Sequence, residues 1–203
     1  MVRALEAQNT MKTLSISSQF DSGAIEVLRL EAAHDIQLRI RRDTAAEFAQ
    51  WFHFCLHGAA GQAVTVKFMN ASECAYPKGW EGYRVVASHD RQHWSRIDTQ
   101  YDGTVLSAQV TPQGNAMYFA YFEPYSYEQH LDLLASAAAS SLVTLQRLGA
   151  TVQGRDMSVL HIADPHSPVA QEDKKHVWVM ARQHPGETMA EWFVGGFLGR
   201  LLD

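Results

Sequence analysis

The sequence predicts an all-β antiparallel sandwich over residues 13–123, followed over residues 124–203 by the beginning of an α/β domain, truncated at its end. In the first part, short apolar runs alternate with polar residues and are separated by turn residues, which is typical of half-buried strands. In the second part, helical and strand-like apolar patterns follow one another, which is typical of a layered α/β domain. Residues 1–12 carry neither pattern and are expected to form a disordered extension.

Composition excludes several classes of function. The chain has 203 residues, of which 46% are hydrophobic and 19% charged, so it can form one large or two modest globular domains. A net charge of −5 disfavours nucleic-acid and anionic-membrane surfaces. The sequence has no apolar run long enough to span a membrane and no secretory signal at its start. From the charge and the lack of a long apolar run, we expect a protein that binds neither nucleic acid nor membranes. With only Cys55 and Cys74 as cysteines, we expect it in the reducing cytoplasm.

Five alternating runs predict strands in the first part. Each run places its apolar side chains on one face, and segments containing glycine or proline separate the runs as turns. Their apolar positions are Ile36, Leu38 and Ile40; Phe52, Phe54 and Leu56; Val64, Val66 and Phe68; Tyr83, Val85 and Ala87; and Met117, Phe119 and Tyr121.

A long helix is predicted over residues 127–148. Ser126 and Gln129 form the S-x-x-Q pattern of a capping box, which satisfies backbone N–H groups at a helix start. Leucines recur downstream at helical spacing, and Gly149 stands where a helix-terminating glycine is common.

Two strands and a second helix are predicted after that glycine. The strands cover residues 159–163 and 177–181, and the second of them is a continuous apolar run, as in strands covered on both faces. The helix carries an apolar stripe formed by Met189, Trp192, Phe193 and Phe197. Because two or three strands cannot bury this stripe together with Trp178, we expect a missing C-terminal part of the same domain to complete it.

The strongest candidate for chemistry is His184-Pro-Gly-Glu187, between the second predicted strand and the last helix. Side chains three residues apart can converge on one point, and α/β proteins place their sites at strand ends. Histidine nitrogen and glutamate oxygen both bind zinc, and a catalytic zinc takes three protein ligands and a water. The spacing alone also fits a surface histidine and a glutamate favoured by the helix dipole.

Other polar candidates have weaker patterns. Arg182 has two interpretations. It could orient an acidic substrate or a carboxylate behind the metal ligands, or it could be a surface arginine at the end of a strand. His53 and His57 lie on one face of a strand but about 13 Å apart, too far for one metal. We interpret this pair as solvent-side or inter-domain residues, and Cys55 as a small buried hydrophobic residue.

Residues 181–188, Ala-Arg-Gln-His-Pro-Gly-Glu-Thr, resemble the first zinc-binding motif of the M14 metallocarboxypeptidases in the form used by the cytosolic carboxypeptidase subfamily. Upstream segments resemble the N-terminal domain of that subfamily and occur in the same order. They are Phe68-Met-Asn-Ala-Ser72, Tyr76-Pro-Lys-Gly-Trp80 and Phe119-Ala-Tyr-Phe-Glu-Pro-Tyr125. The resemblance covers nearly the whole chain from Thr13 onward.

The resemblance implies a zinc metallocarboxypeptidase with His184 and Glu187 as its first two zinc ligands. It implies that a third ligand, a histidine, lies downstream together with a substrate-binding arginine and a general-base glutamate, and the 203 residues contain none of these three groups. We therefore expect no catalytic residue in this fragment and no activity from the fragment alone. The implied partner is a peptide or protein C-terminus, in eukaryotic relatives a run of glutamates. The alternative is a non-catalytic β-sandwich that binds a partner or assists folding.

Overall fold

The computed structural model describes residues 13–203, and the chain falls into two compact units, one ending at Glu123 and the other running from Pro124 to Asp203. The predicted extension, residues 1–12, lies outside the described residues. The strands of the first unit are β1 (Ser15–Ser17), β2 (Glu26–Arg29), β3 (Ile36–Arg39), β4 (His53–His57), β5 (Val64–Phe68), β6 (Val86–Ser88), β7 (Ser95–Arg96), β8 (Asp98–Tyr101), β9 (Leu106–Val110) and β10 (Ala116–Ala120). Over residues 13–203, none of the helices has both the length and the apolarity to cross a membrane.

Within the described residues, these strands form two five-stranded sheets. One has the order β1-β4-β10-β6-β7, and the other has the order β2-β3-β5-β9-β8. Neighbouring strands run antiparallel except β3 and β5, which are parallel with Ile36 beside Val66. The predicted sandwich is confirmed, with one parallel pair inside it.

Aromatic side chains from the two sheets meet in the core of the sandwich. Phe54 stacks on Phe119 within one sheet, with ring centroids 5.0 Å apart. Both Phe52 and Phe54 contact Phe68 of the opposite sheet, at 4.3 and 6.3 Å between centroids. All four rings are fully buried, so this cluster supplies a large part of the hydrophobic stabilisation of the unit.

The strand predictions succeed where alternation is strict. The runs at β3, β4, β5 and β10 are strands, and β5 shows the expected alternation of buried and half-buried residues. The run predicted at residues 83–87 becomes a strand only at Val86. Sequence reasoning missed β2, because all four of its residues are exposed and leave no apolar period.

His53 corrects the interpretation of the histidine pair, because its side chain is fully buried rather than facing solvent. The loops around Phe20 and Trp94 cover it, with ring centroids 4.8 and 5.7 Å from the imidazole. Its Nδ1 lies 2.9 Å from the Ser22 hydroxyl, whereas Nε2 has no hydrogen-bond partner among the described residues. The outer face of this sheet is therefore covered locally by loops, which strand periodicity could not indicate.

Burial, which would strip the imidazolium of its hydration, and to a smaller extent the nearby Arg91 cation together lower the pKa of His53 from 6.5 to about 3. Between these two pH values the unfolded chain binds more protons than the folded chain at this residue, so stability falls as the pH falls. We expect His53 to contribute a slope approaching about 1.4 kcal/mol per pH unit within this window. Denaturant unfolding at pH 4–7 measures it. His53→Gln is expected to flatten the profile, whereas a profile that only His57→Gln flattened would contradict the assignment.

The second unit begins with helix α1 (Tyr127–Ala138). The predicted capping box is confirmed: the Ser126 hydroxyl accepts the Gln129 N–H at 3.2 Å, and the Gln129 side-chain oxygen accepts the Ser126 N–H at 2.8 Å. Together these bonds fix where the helix starts.

The predicted end of this helix is wrong, because α1 stops at Ala138 and a strand begins five residues later, at Val143. Strand β11 (Val143–Ala150) pairs antiparallel with β12 (Asp156–Ile162). The β-branched Val143 and Thr144 favour an extended chain, and the ladder with β12 satisfies backbone groups that a longer helix would have satisfied internally. Gly149 lies at an irregularity of this ladder rather than at a helix end.

The strand predicted at residues 177–181 is also wrong in this structure, since the segment has no regular secondary structure. A strand needs neighbours for its backbone groups, and no described strand pairs with this segment. Its apolar side chains lie in solvent, with Val177 83% and Trp178 76% exposed. The last predicted helix is confirmed as α2 (Met189–Leu202), and its stripe residues Trp192, Phe193 and Phe197 are exposed as well.

Candidate metal centre

The segment before α2 forms a tight turn that carries the predicted ligands. The backbone N–H of Glu187 donates to the carbonyl of His184 at 3.0 Å, which closes a four-residue turn with Pro185 and Gly186 at its centre. Proline presets the backbone angle at the second turn position, so the sequence favours this conformation. Thr188, which is buried, occupies the position directly before the first residue of α2.

The turn brings the imidazole and the carboxylate together. His184 Nδ1 lies 3.0 Å from Glu187 Oε2, and the two side chains are 79% and 55% exposed. Two ligand atoms bound to one zinc at tetrahedral angles are about 3.3–3.4 Å apart. The pair therefore fits two adjacent positions around one zinc ion after a small adjustment, and it is open to solvent on one side.

No third ligand joins the pair in the part of the chain that the structure describes. Across residues 13–203, no three His, Cys, Asp or Glu side chains are grouped closely enough to hold a metal ion. Other potential metal-binding side chains lie elsewhere: His161 is exposed on β12, and both cysteines are buried in the first unit.

Arg182 lies just before the turn and contacts three protein groups. Its Nε donates to the Pro185 carbonyl at 3.0 Å, and its Nη1 donates to the Tyr125 carbonyl at 3.0 Å and to Glu191 Oε2 at 2.5 Å. Its side chain is only 24% exposed. The structure therefore places Arg182 underneath the turn, partly enclosed, rather than on an open surface.

Glu191 and His130 complete this arrangement, and sequence reasoning missed both. His130 Nδ1 donates to Glu191 Oε1 at 2.7 Å. Burial raises the pKa of Glu191, but the hydrogen bonds from His130 and Arg182 outweigh burial and hold the pKa below its ordinary value. Glu191 is thus ionised at neutral pH. In the sequence, Glu191 is only a glutamate among the apolar residues at the start of α2, a position that a favourable contact with the helix dipole explains equally well.

Comparison with known proteins identifies the family. The sequence profile of the cytosolic carboxypeptidase N-terminal domain matches residues 16–122, and the zinc carboxypeptidase profile matches residues 127–203. The chain belongs to the cytosolic carboxypeptidases of the M14 family. The fold is accordingly a cytosolic carboxypeptidase N-terminal sandwich followed by the start of a zinc carboxypeptidase domain, as predicted.

Solved structures of bacterial metallocarboxypeptidases resemble the chain throughout. One from Burkholderia cenocepacia is 48% identical with a TM-score of 0.90, covering 94% of this chain and 50% of that one. Another, from Pseudomonas aeruginosa in complex with (2-guanidinoethylmercapto)succinic acid, is 40% identical with a TM-score of 0.84, covering 93% of this chain and 49% of that one.

Curated relatives show the same partial match. An uncharacterized protein of Zymomonas mobilis is 42% identical over 94% of this chain and 48% of its own length. Cytosolic carboxypeptidase 2 of Danio rerio is 27% identical over 94% of this chain and 30% of its own length. The chain of this M14 family member thus spans half or less of the length of these relatives.

Proposed function

We propose that the protein containing this chain is a zinc-dependent metallocarboxypeptidase that hydrolyses C-terminal peptide bonds, with His184 and Glu187 as two of its zinc ligands. The observation that carries this proposal is the 3.0 Å approach of His184 Nδ1 to Glu187 Oε2. The approach occurs in a solvent-open turn inside the segment that matches the zinc carboxypeptidase profile.

The two proposed ligands have donor atoms that are common at catalytic zinc sites. His184 offers an imidazole nitrogen and Glu187 offers a carboxylate oxygen, and a catalytic site needs one further protein ligand besides water. A zinc ion held there supplies Lewis acidity toward the scissile carbonyl and lowers the pKa of a bound water. In the family pattern described above, the third ligand, the substrate arginine and the general-base glutamate lie beyond these 203 residues. We therefore assign the activity to the full-length protein and expect the fragment alone to be inactive.

The exposed apolar surface of the second unit supports the same assignment. Trp178, Phe193 and their neighbours lie in solvent, although comparable side chains in a finished domain are mostly covered. We propose that the remaining part of the catalytic domain covers them, since the matched relatives are at least about twice as long as this chain.

The substrate class and compartment follow as finer parts of the proposal. The resemblance to cytosolic carboxypeptidases suggests acidic C-terminal residues, glutamate above all, as a substrate class. A reducing, cytoplasmic location is supported by Cys55 and Cys74, which are free and buried.

An assay of the full-length protein tests the function directly. Matched peptides ending in glutamate, lysine or phenylalanine are incubated with the protein, and the released amino acid is quantified with and without a chelator. We expect release that the chelator abolishes and added zinc restores, fastest from the glutamate peptide. Release that survives complete metal removal would overturn the zinc mechanism, and zinc-dependent release favouring lysine or phenylalanine would overturn only the acidic preference.

A further inference from the structure

Glu191 uses both of its carboxylate oxygens to join separate segments of the second unit. Oε1 accepts a hydrogen bond from His130 on α1 at 2.7 Å, and Oε2 accepts one from Arg182 at 2.5 Å. The Glu191 side chain is only 11% exposed. A carboxylate that is nearly enclosed and bonded by two cationic or polar donors is held firmly, since charge-assisted hydrogen bonds are roughly twice as strong as neutral ones.

The backbone of Arg182 shows that the segment before the turn is held in a sparsely populated conformation. Its φ angle is +58°, in the left-handed region that residues other than glycine seldom occupy. Such a conformation persists only where the surroundings determine it. Here the guanidinium supplies that determination, because it bonds the Pro185 carbonyl within the turn, the Tyr125 carbonyl before α1, and Glu191 on α2.

These contacts form a chain of support that ends at the predicted ligands. Glu191 fixes the guanidinium, and the guanidinium holds the carbonyl of Pro185, the residue directly after His184. The turn that this carbonyl belongs to is the one that brings His184 to within 3.0 Å of Glu187. Neither Glu191 nor Arg182 belongs to the ligand pair, and their contacts connect them to it through the turn.

We propose that Glu191 is a positioning residue for the zinc site: through Arg182 it holds the His184–Glu187 turn in the shape that binds metal. This inference rests on the proposed function, because it presupposes that His184 and Glu187 bind zinc. It also assigns Arg182 a role beneath the turn. Outer contacts that orient metal ligands commonly change metal affinity by about 10- to 100-fold when they are removed.

The chain offers a matched control for an ordinary ion pair in the same unit. Arg147 Nε lies 2.6 Å from Asp156 Oδ1 across the β11–β12 hairpin, and both side chains are 60% exposed. This pair has the same chemical groups and a similar distance, but it joins the two strands of the hairpin instead of the turn and α2. Exposed ion pairs of this kind contribute little to the stability of the folded state.

The experiment uses the full-length protein and compares Glu191→Gln, Arg182→Lys and their double variant with Asp156→Asn. Glutamine preserves the size of Glu191 but loses the charge. Lysine preserves the charge of Arg182, but its compact ammonium lacks the planar guanidinium fork whose nitrogens reach these separate acceptors. Zinc affinity is measured by competition with a chromogenic chelator. Cobalt(II) substituted for zinc reports the coordination geometry through its visible absorption, and thermal unfolding monitors the folded state.

We expect both single variants to bind zinc about 10- to 100-fold more weakly and to shift the cobalt spectrum. The zinc affinity of the double variant should be about equal to that of the single variant that binds zinc less tightly, because the two residues act through one contact. Asp156→Asn should match the wild type within about twofold. Wild-type affinity and an unchanged cobalt spectrum in either Glu191→Gln or Arg182→Lys would overturn the positioning role.

The outcome separates this inference from the proposed function. His184→Ala is measured alongside. If zinc binding does not depend on His184, the metal assignment itself fails. If it depends on His184 but not on Glu191, only the positioning role fails. A variant that weakens zinc binding while its cobalt spectrum stays that of the wild type would also count against positioning, since the ligand geometry would then be intact.

Discussion

Replacing His184 by alanine in the full-length protein is expected to remove bound zinc and to lower peptidase activity by about a thousandfold or more. Lewis-acid stabilisation of the transition state contributes several kcal/mol, and each 1.36 kcal/mol is worth about tenfold in rate. Glu187→Ala should have the same effect, because the two proposed ligand atoms lie 3.0 Å apart and would bind the same ion. Metal analysis of the purified variants and release of C-terminal residues from peptides measure both losses.

Two control substitutions separate ligand loss from general damage. His161→Ala removes an exposed histidine from β12, and Glu172→Ala removes an exposed glutamate that precedes the apolar residues 177–181. Both variants should retain zinc and activity. Full zinc content and full activity in His184→Ala would exclude this residue as a ligand, and equal losses in His161→Ala would point to instability of the unit instead.

Truncating Phe54 is expected to destabilise the sandwich by about 3–5 kcal/mol, the usual range for removing a buried phenylalanine. Phe54 is fully buried, stacks on Phe119 and contacts Phe68 of the opposite sheet, so its loss leaves a cavity between the sheets. Since whole domains are stable by only about 5–15 kcal/mol, the sandwich would come close to unfolding at 37 °C.

Hydrogen–deuterium exchange of peptides covering β4 and β10 measures this loss within the full-length protein, where global unfolding would mix the two units. Phe48→Ala is the matched control, because Phe48 belongs to the same unit but is 67% exposed. We expect faster exchange in Phe54→Ala and no change in Phe48→Ala. Similar exchange in both variants would mean that the aromatic cluster does not hold the sheets together.

Sequence patterns predicted those parts of the fold in which the spacing of apolar residues matches their burial in the tertiary structure. Strand β5 alternates strictly and packs its apolar face inward, and Ser126 with Gln129 marks a helix start by local hydrogen bonds alone. The prediction of where α1 ends failed because Leu142 and Leu145 continue the helical spacing, whereas pairing with β12 makes this part of the chain extended. The strand prediction for residues 177–181 failed because a strand depends on neighbouring strands, whose presence the pattern of one segment does not reveal.

The candidate site was predictable only as far as its linear motif. His184 and Glu187 are separated by a proline and a glycine, so their proximity follows from local turn geometry. Glu191 and His130 are 61 positions apart and meet only through the packing of α2 against α1. A contact of that separation leaves no trace in one sequence, and the burial of His53 beneath two loops escaped prediction for the same reason.

The position of β10 has a consequence for biosynthesis. This strand is the last of the first unit along the chain, yet it lies in the middle of its sheet, between β4 and β6. A nascent polypeptide that has not yet released residues 116–120 from the ribosome therefore holds β4 and β6 with open hydrogen-bonding edges, which are prone to aggregation. The sandwich can close only when nearly all of its own sequence has been translated, so its folding is late and cooperative rather than stepwise.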